Sequence, residues 1–393
     1  MFGCTSGKAL LTSALLLATT CHTGQADGTM NQMGCVDGNL FEEGKDYFPA
    51  KVAPEDSDLW SVEYHNTYKI VTSHAANEKY LLYQCGTAPP QTEEGEYDAI
   101  LSIPLTGAGV LYTTMIPYFE LLGIRSKILA ILGGSAAWVS SPCLQEMIQS
   151  ENVLDIQTPP TPEDGSTVGA VETPEVFVPV AFVGASESRA ELNAQTSIRE
   201  AATTESTQLG TLEWVKFYSL FFNMERQANI VYDRAQDRYM CVERNANLVT
   251  SDGSATEPAM TKPTVLWAQY SDYCGGWDVA RDCPNNYYCE LATSCSSTLL
   301  WSNEGSHFNV EDCGERNYMT TEEFMNFANT ADYWIYTSSN WDATLEMFGE
   351  ELQAFPSVQN QQVYDYQGRG SSAWFEQRIV EPGKFGVWLL CTI

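Results

Sequence analysis

The sequence predicts an α/β protein built as two lobes joined by one long helix. Three observations lead there. Residues 209–239 read as a single helix, strand-like and helical stretches alternate before it, and a weaker alternation follows it. The stretch 209–239 holds no proline, and its one glycine, Gly210, sits at its start. Apolar residues fall at Leu212, Val215, Phe217, Leu220, Phe221, Met224, Ala228, Val231, Tyr232 and Ala235, mostly three or four apart, which is the spacing of one helix face. Glu213 in the first turn and Arg234 and Arg238 in the last suit the helix dipole. At about 1.5 Å per residue the helix would run for roughly 45 Å. Its place near mid-chain makes it a rigid spine between two lobes; a core helix of one large domain is the competing reading.

Before the spine, residues 68–73, 99–103, 127–132 and 176–182 are β-branched or apolar runs bounded by turn formers and read as strands. Helical stretches at 110–122 and 143–150, the second with Pro142 at its start, alternate with them. That order predicts a mostly parallel, covered sheet. Residues 158–174, rich in proline, threonine and acid, read as a surface loop, and 187–205 as helical in part. After the spine, 245–262 read as a polar loop, 264–270, 332–337 and 386–390 as strands, and 341–352 as a helix. A further helix at 320–329 carries Thr320 as its cap with Glu323 three residues on, a capping box.

Residues 1–26 read as a secretory signal. Lys8 supplies the basic start, 9–20 the apolar run, and Gly24, Gln25 and Ala26 an acceptable cleavage site. The apolar run is too short to span a bilayer, and 18–20 fit a bacterial lipoprotein signal poorly. Of the 12 cysteines, Cys4 and Cys21 lie in the signal. The ten that remain favour disulfides in an exported chain, with connectivity open. Six of them fall between Cys241 and Cys313 and predict a stapled, loop-rich region; no C-x-x-C pair speaks for zinc. The net charge of −31 excludes nucleic acid as a partner, because phosphate binding needs a basic surface. Solubility is the simplest reading of that charge, and attraction of a cationic ligand the alternative.

Four groups of segments carry a resemblance to a known family. They are 46–49 (DYFP), 60–64 (WSVEY) and 68–71 (YKIV); 112–123 (YTTMIPYFELLG), 128–131 (ILAI) and 138–142 (WVSSP); 209–217 (LGTLEWVKF) and 221–225 (FFNME); and 331–336 (ADYWIY), 357–360 (SVQN), 363–365 (VYD) and 374–378 (WFEQR). Together they resemble the class III periplasmic solute-binding proteins, the receptors that serve ABC importers of ferric siderophores, haem and cobalamin. The resemblance implies two Rossmann-like lobes (27–208 and 240–393) joined by the backbone helix 209–239, with a ligand cleft between the lobes. It implies a monomer with no catalytic role and no resident cofactor. It would be exported to the periplasm, the cell surface or an endomembrane lumen, and would pass a small-molecule iron complex to an ABC permease or a surface uptake partner. The family continues past the strand near Val387 with another helix, so the end at Ile393 is expected to be a truncation. The cysteine-rich insertion is heavier than the family's pattern.

Ligands of open α/β sheets sit outside the carboxyl ends of the strands. By that rule the first lobe offers Ser73, His74, Thr106, Tyr112, Thr113 and Trp138. The second offers Trp267, Tyr270, Trp277, Ser338, Asn340, Trp341 and Arg369. Tyrosine and tryptophan give a bulky ligand large, rigid contact area with a polar tip, and arginine suits an anionic chelate. A zinc or manganese receptor would draw on His65, His74 and His307 with Asp365 or Glu376 as a further ligand. An enzyme is the third class. No G-x-S-x-G, H-E-x-x-H, G-x-G-x-x-G or P-loop occurs, and acidic pairs such as Glu322/Glu323 or Asp332/Asp342 are the nearest imitation of a hydrolase dyad.

Overall fold

The computed structural model describes residues 30–156, 178–187, 194–251, 262–305, 313, 318–368, 370 and 373–381. The signal stretch, the loop expected at 158–174, the strand expected at 386–390, and His307, Arg369 and Cys391 lie outside the described residues.

The chain opens with β1 (Trp60–Tyr64), β2 (Tyr68–Ser73) and β3 (Glu78–Gln84), antiparallel in register, and β4 (Ala99–Ile103), parallel to β3. The reading of Tyr68–Ser73 as part of a parallel sheet is thereby corrected. Only three or four residues separate β1, β2 and β3, enough for hairpins and too few for a crossover.

A second sheet follows. It takes in β5 (Ala108–Val110), β6 (Ile128–Leu132), β7 (Leu154–Ile156), β8 (Val178–Gly184) and β9 (Ala194–Glu200), all parallel, with α1 (Ile116–Leu121) and α2 (Pro142–Gln149) as crossovers. Ser141 caps α2 and Pro142 occupies its first turn. The spatial order is β7-β6-β5-β8-β9, so the direction of winding reverses between β5 and β8. β9 takes most of the described part of 187–205, the stretch expected to be helical in part; the described helical piece is the short 3-10 turn Ala202–Thr204. The polar composition of β9 hid it, but Ile198 is fully buried and every partner from Val178 to Gly184 lies on β8, so pairing and burial override local propensity.

The predicted spine is two helices. α3 (Gln208–Leu220) is capped by Thr207, and all thirteen of its residues are buried in the first lobe. α4 (Glu225–Ser251) carries the chain into the second lobe and, at roughly 40 Å, is the true connector. It runs on through the first part of the loop expected at 245–262, because no glycine or proline occurs before Gly253. Asn223, in the left-handed region at φ 56°, makes the break.

Lys69, fully buried on β2, fills that break. Its ammonium donates to Leu220 O at the end of α3 (2.8 Å), to Asn223 Oδ1 (2.9 Å) and to the Glu225 carboxylate that opens α4. Asn31 donates to the other Glu225 oxygen at 2.6 Å. One cation thus answers the negative end of α3 and the acid at the start of α4. Burial presses the Lys69 ammonium below the ordinary lysine range, and Glu225 pulls it back up.

The second lobe holds β10 (Thr264–Ser271), β11 (Gly276–Val279), α5 (Tyr287–Ser294), β12 (Thr298–Leu300), α6 (Thr321–Ala328), β13 (Tyr333–Tyr336), α7 (Trp341–Leu352), α8 (Pro356–Gln359), β14 (Val363–Tyr364) and α9 (Ala373–Val380). Its sheet runs β11-β10-β13-β14, with β12 beside the first half of β10; only β11 is antiparallel. The capping box on α6 forms as read, Thr320 and Glu323 exchanging bonds. The cysteine-rich region is stapled by Cys274–Cys313 and Cys283–Cys289, and Cys35–Cys85 ties the amino-terminal segment to β3. Among the described residues no helix is long and apolar enough to cross a membrane.

Lys69→Met leaves the Glu225 carboxylate buried without its cation. Urea denaturation is expected to register a loss of about 3–5 kcal/mol, and Lys69→Met/Glu225→Leu a smaller one, because the second change removes the stranded charge. A loss below 1 kcal/mol for the single variant, within the range of an ordinary surface pair, would contradict the role given to this ion pair.

Candidate ligand cleft

A cavity of about 770 Å³ opens between the two lobes. Apart from Phe375, its wall lies at or just after the carboxyl ends of strands. Tyr112, Thr113 and Thr114 come after β5, Ser135 and Trp138 after β6, Gly184 to Ser186 at the end of β8, and Glu200, Ala201, Thr203 and Thr204 at the end of β9. From the second lobe come Thr337, Ser338 and Ser339 after β13, Gln367 after β14, and Phe375 on α9. The first-lobe wall straddles the reversal between β5 and β8, where adjacent connections leave to opposite faces and a crevice must form.

Local sequence explains the presentation. Gly133 and Gly134 take consecutive left-handed conformations after β6, which turns the chain into the short helical segment bearing Ser135 and Trp138. Ser135 anchors that segment by donating to Leu111 O at 2.9 Å and Leu132 O at 3.0 Å. At Gly184 a Cβ would stand 3.0 Å from the Tyr112 ring, so glycine lets that ring lie against the end of β8. The Tyr112 hydroxyl donates to the Glu187 carboxylate. Trp138 is 61% exposed, an unusual state for tryptophan, with its ring facing the open space.

A second cavity of about 680 Å³ adjoins the first through Thr337 and Phe375. Its walls carry Trp267, Tyr287, Tyr288 and Tyr366, and the Arg378 guanidinium lies 3.9 Å from the centroid of the Tyr287 ring.

α9 closes the back of the cleft and ties the lobes together. Ser140, at the start of the turn into α2, donates its backbone N–H to Glu376 at 3.0 Å and its hydroxyl to the same carboxylate, and Thr113 also bonds it. Burial pushes the Glu376 carboxyl above the usual range. Ile379 belongs to the first lobe's hydrophobic core. Glu200 is 2% exposed and takes one backbone N–H, from Ala202 at 2.7 Å. Burial pushes it up to about 7.

Of the residues selected from sequence, Tyr112, Thr113, Trp138 and Ser338 meet in this cavity. Trp267 lines the adjoining one. The described others line neither cavity. Ser73 is buried at the end of β2 and His74 in the exposed turn after it, in the antiparallel sheet that does not reach the cleft. Thr106 precedes β5 and so sits at its amino end, opposite the cleft. Trp277 is fully buried, stacked on Phe324 at 3.9 Å, and Tyr270 packs on Trp277 and Phe348. Asn340 donates to Asp272 at 2.8 Å and Trp341 packs edge-on against Trp334. Arg369 lies outside the described residues. His65 and His74 flank opposite ends of β2, and among the described residues no three potential metal ligands gather. Sequence reasoning missed Ser135, the 184–186 turn, Glu200, Ala201, Thr203, Thr204 and Phe375. The rule about strand ends would have reached Glu200 had β9 been read as a strand.

No family model matches the chain. An uncharacterized lipoprotein of Methanocaldococcus jannaschii is 21% identical over 325 residues, 80% of this chain and 71% of that one. Among solved structures, a periplasmic binding protein from Veillonella parvula matches with a TM-score of 0.50, covering 85% of this chain and 97% of its own at 11% identity. The fold is that of a periplasmic binding protein. The heme binding protein HutB of Vibrio cholerae is also similar, with a TM-score of 0.46 at 13% identity over 72% of this chain and 99% of that one. So is a possible iron-binding protein of Staphylococcus epidermidis, at 0.47 and 9% over 73% and 99%.

The folded state holds Glu200 neutral to a higher pH than the unfolded chain does, so its burial costs nothing below about 4.5 and progressively more as pH rises to about 7. Stability from this group therefore falls with rising pH across that window, by about 3 kcal/mol in all. Glu200→Gln is expected to raise the melting temperature at pH 8 and leave it unchanged at pH 4. Equal shifts at both values would show that the carboxyl is not what is being relieved.

Proposed function

We propose that the chain is an exported solute-binding receptor that captures an iron complex, a ferric siderophore foremost, and delivers it to an ABC-type permease or a surface uptake partner. The observation that carries this reading is the cleft itself. It is a roomy cavity at the carboxyl ends of parallel strands from both lobes, lined by hydroxyls and by the exposed rings of Tyr112, Trp138 and Phe375. Such a wall suits a bulky, partly polar complex, with rigid aromatic area for contact and many small donors and acceptors for orientation. The two cavities, joined at Thr337 and Phe375, give space for a ligand larger than a bare ion. No step of capture and release needs a nucleophile or a general base, so a binding role accounts for the wall as it stands.

Capture involves modest closure. α4 is unbroken between the lobes, and α9 is already seated on the first lobe through Glu376 and Ile379. Large hinge opening would have to break both. Solution scattering with and without saturating ligand is expected to give nearly superimposable radii of gyration; a large compaction would refute the restriction.

Tryptophan fluorescence of the mature chain, titrated with ferric hydroxamates, ferric catecholates, haem, cobalamin and free zinc, manganese and ferric ions, tests the reading. Saturable quenching by a ferric chelate, absent with its iron-free form, is the expected result. Trp138→Phe is expected to remove most of the quench, and Trp138→Ala to weaken binding roughly tenfold or more if the ring is an anchor. A response to zinc or manganese alone, with no chelate bound, would defeat the iron-complex assignment.

A further inference from the structure

We propose that this cleft selects a solute bearing positive charge, with Glu200 as its counter-charge on the first-lobe wall. The inference rests on the receptor reading and names the class of complex the cleft takes.

Glu200 is the last residue of β9 and stands where a ligand would rest. It lines the cavity, is almost wholly buried, and is satisfied by a single backbone N–H from Ala202. Among the described residues no basic side chain pairs with it. The nearest basic group in sequence, Arg199, donates to Ala185 O at 3.1 Å and faces Glu78 at 3.4 Å. Arg378, across the lobe junction, is spread over the Tyr287 ring. The titratable groups that feel Glu200 from the packed helices are the phenols of Tyr118 on α1 and Tyr218 on α3. Burial first and the Glu200 charge second push both upward; at Tyr118 the Arg378 charge acts in the opposite direction. The Tyr218 hydroxyl is buried and has no hydrogen-bond partner among the described residues.

The described lining of the cavity contains no lysine, arginine or histidine. Two further carboxylates stand just behind it, Glu187 holding the Tyr112 hydroxyl and Glu376 holding Ser140. The field of the whole chain has the same sign, at a formal −31. Along the described lining of this cavity a polyanionic chelate would meet Glu200, with Glu187 and Glu376 behind it, and no basic side chain. A buried carboxylate without a cation is costly in its ionised form, so the empty cleft shifts Glu200 toward its protonated form. An arriving ammonium or other cation restores the balance, and Glu200 gives up its proton to solvent as the ion pair forms. The aromatic walls tolerate positive charge, as the stacking of Arg378 on Tyr287 shows within the same fold.

Ferrioxamine B and ferrioxamine E separate the terms, since both present a neutral ferric hydroxamate core and only the first carries a pendant ammonium. Calorimetric titration of the full mature chain is expected to find ferrioxamine B at least about tenfold tighter than ferrioxamine E, with trianionic ferric enterobactin not bound. Repeating the titration in buffers of different ionisation enthalpy is expected to reveal proton release with ferrioxamine B and none with ferrioxamine E. Glu200→Gln keeps the shape and is expected to abolish both the preference and the proton release. Its melting curve confirms folding. Ferric enterobactin binding as tightly as ferrioxamine B would overturn the charge assignment and leave the receptor reading standing. An unchanged preference in Glu200→Gln would overturn the role of that residue. Failure of every ferric chelate to bind would overturn the receptor reading and this inference together.

Discussion

Lys69 sits where a strand, the end of one helix and the start of the next converge. Three partners share its ammonium: the final carbonyl of α3, the side chain of the left-handed Asn223, and the Glu225 carboxylate. The ring of Phe48 covers it, 4.5 Å from the nitrogen to the centroid. Because the cation is wholly enclosed, none of these groups has water as an alternative. The break therefore has one geometry. Its direction sets where α4 leaves the first lobe, and α4 sets where the second lobe begins. The orientation of the cleft wall is in this sense a consequence of one buried lysine on β2.

A second polar knot holds the start of the same unit. Glu213, buried in the middle of α3, accepts the backbone N–H groups of Glu55, Asp56 and Ser57 at 2.7–2.9 Å and pairs with Lys216 at 2.8 Å. Lys216 in turn lies 4.0 Å from the centroid of the Tyr232 ring on α4. α3 is thus pinned along its length by side chains that the helix needs for neither propensity nor capping. The apolar contacts around it, Tyr118 on Tyr218 and Phe182 against Phe221 among them, supply the burial. The ionic groups choose the register. With α3 fixed in this way, the parallel sheet beside it can end in short, varied turns, and those turns carry the cleft.

How much of this was legible in the sequence depended on whether local pattern and tertiary partner agreed. The two-lobed α/β plan was readable, as were the capping box at Thr320 and the strands at 68–73, 99–103 and 264–270. In each of these the hydrophobic period and the boundary residues point the same way. The single spine was not. Residues 209–239 have one continuous helical period, and nothing in that period announces that Asn223 turns left-handed over a lysine 154 residues away in sequence. β9 was hidden for the opposite reason, being a polar segment made into a strand by its neighbour. In the cleft, Tyr112, Thr113, Trp138 and Ser338 were reachable because they follow recognisable strands. Ser73, His74 and Thr106 were drawn in by a strand assigned to the wrong sheet and by an amino end mistaken for a carboxyl one. Trp277 looked available only because aromatic residues in a cysteine-rich region give no sign of which of them is core.

The helix α9 belongs to the second lobe by sequence and to both lobes by packing. Its Ala373 and Trp374 are buried beside the second lobe's aromatic cluster, while Ile379 completes the hydrophobic core of the first. A helix shared between two cores couples their melting. Neither lobe can lose its interior without exposing part of the other's, so heat and denaturant act on one cooperative unit rather than on two beads tied by a rod. A protease would find the same arrangement. Cutting the chain just before α9 would remove a side chain from the far lobe's centre, and damage at the tail would be felt in the half of the molecule made first.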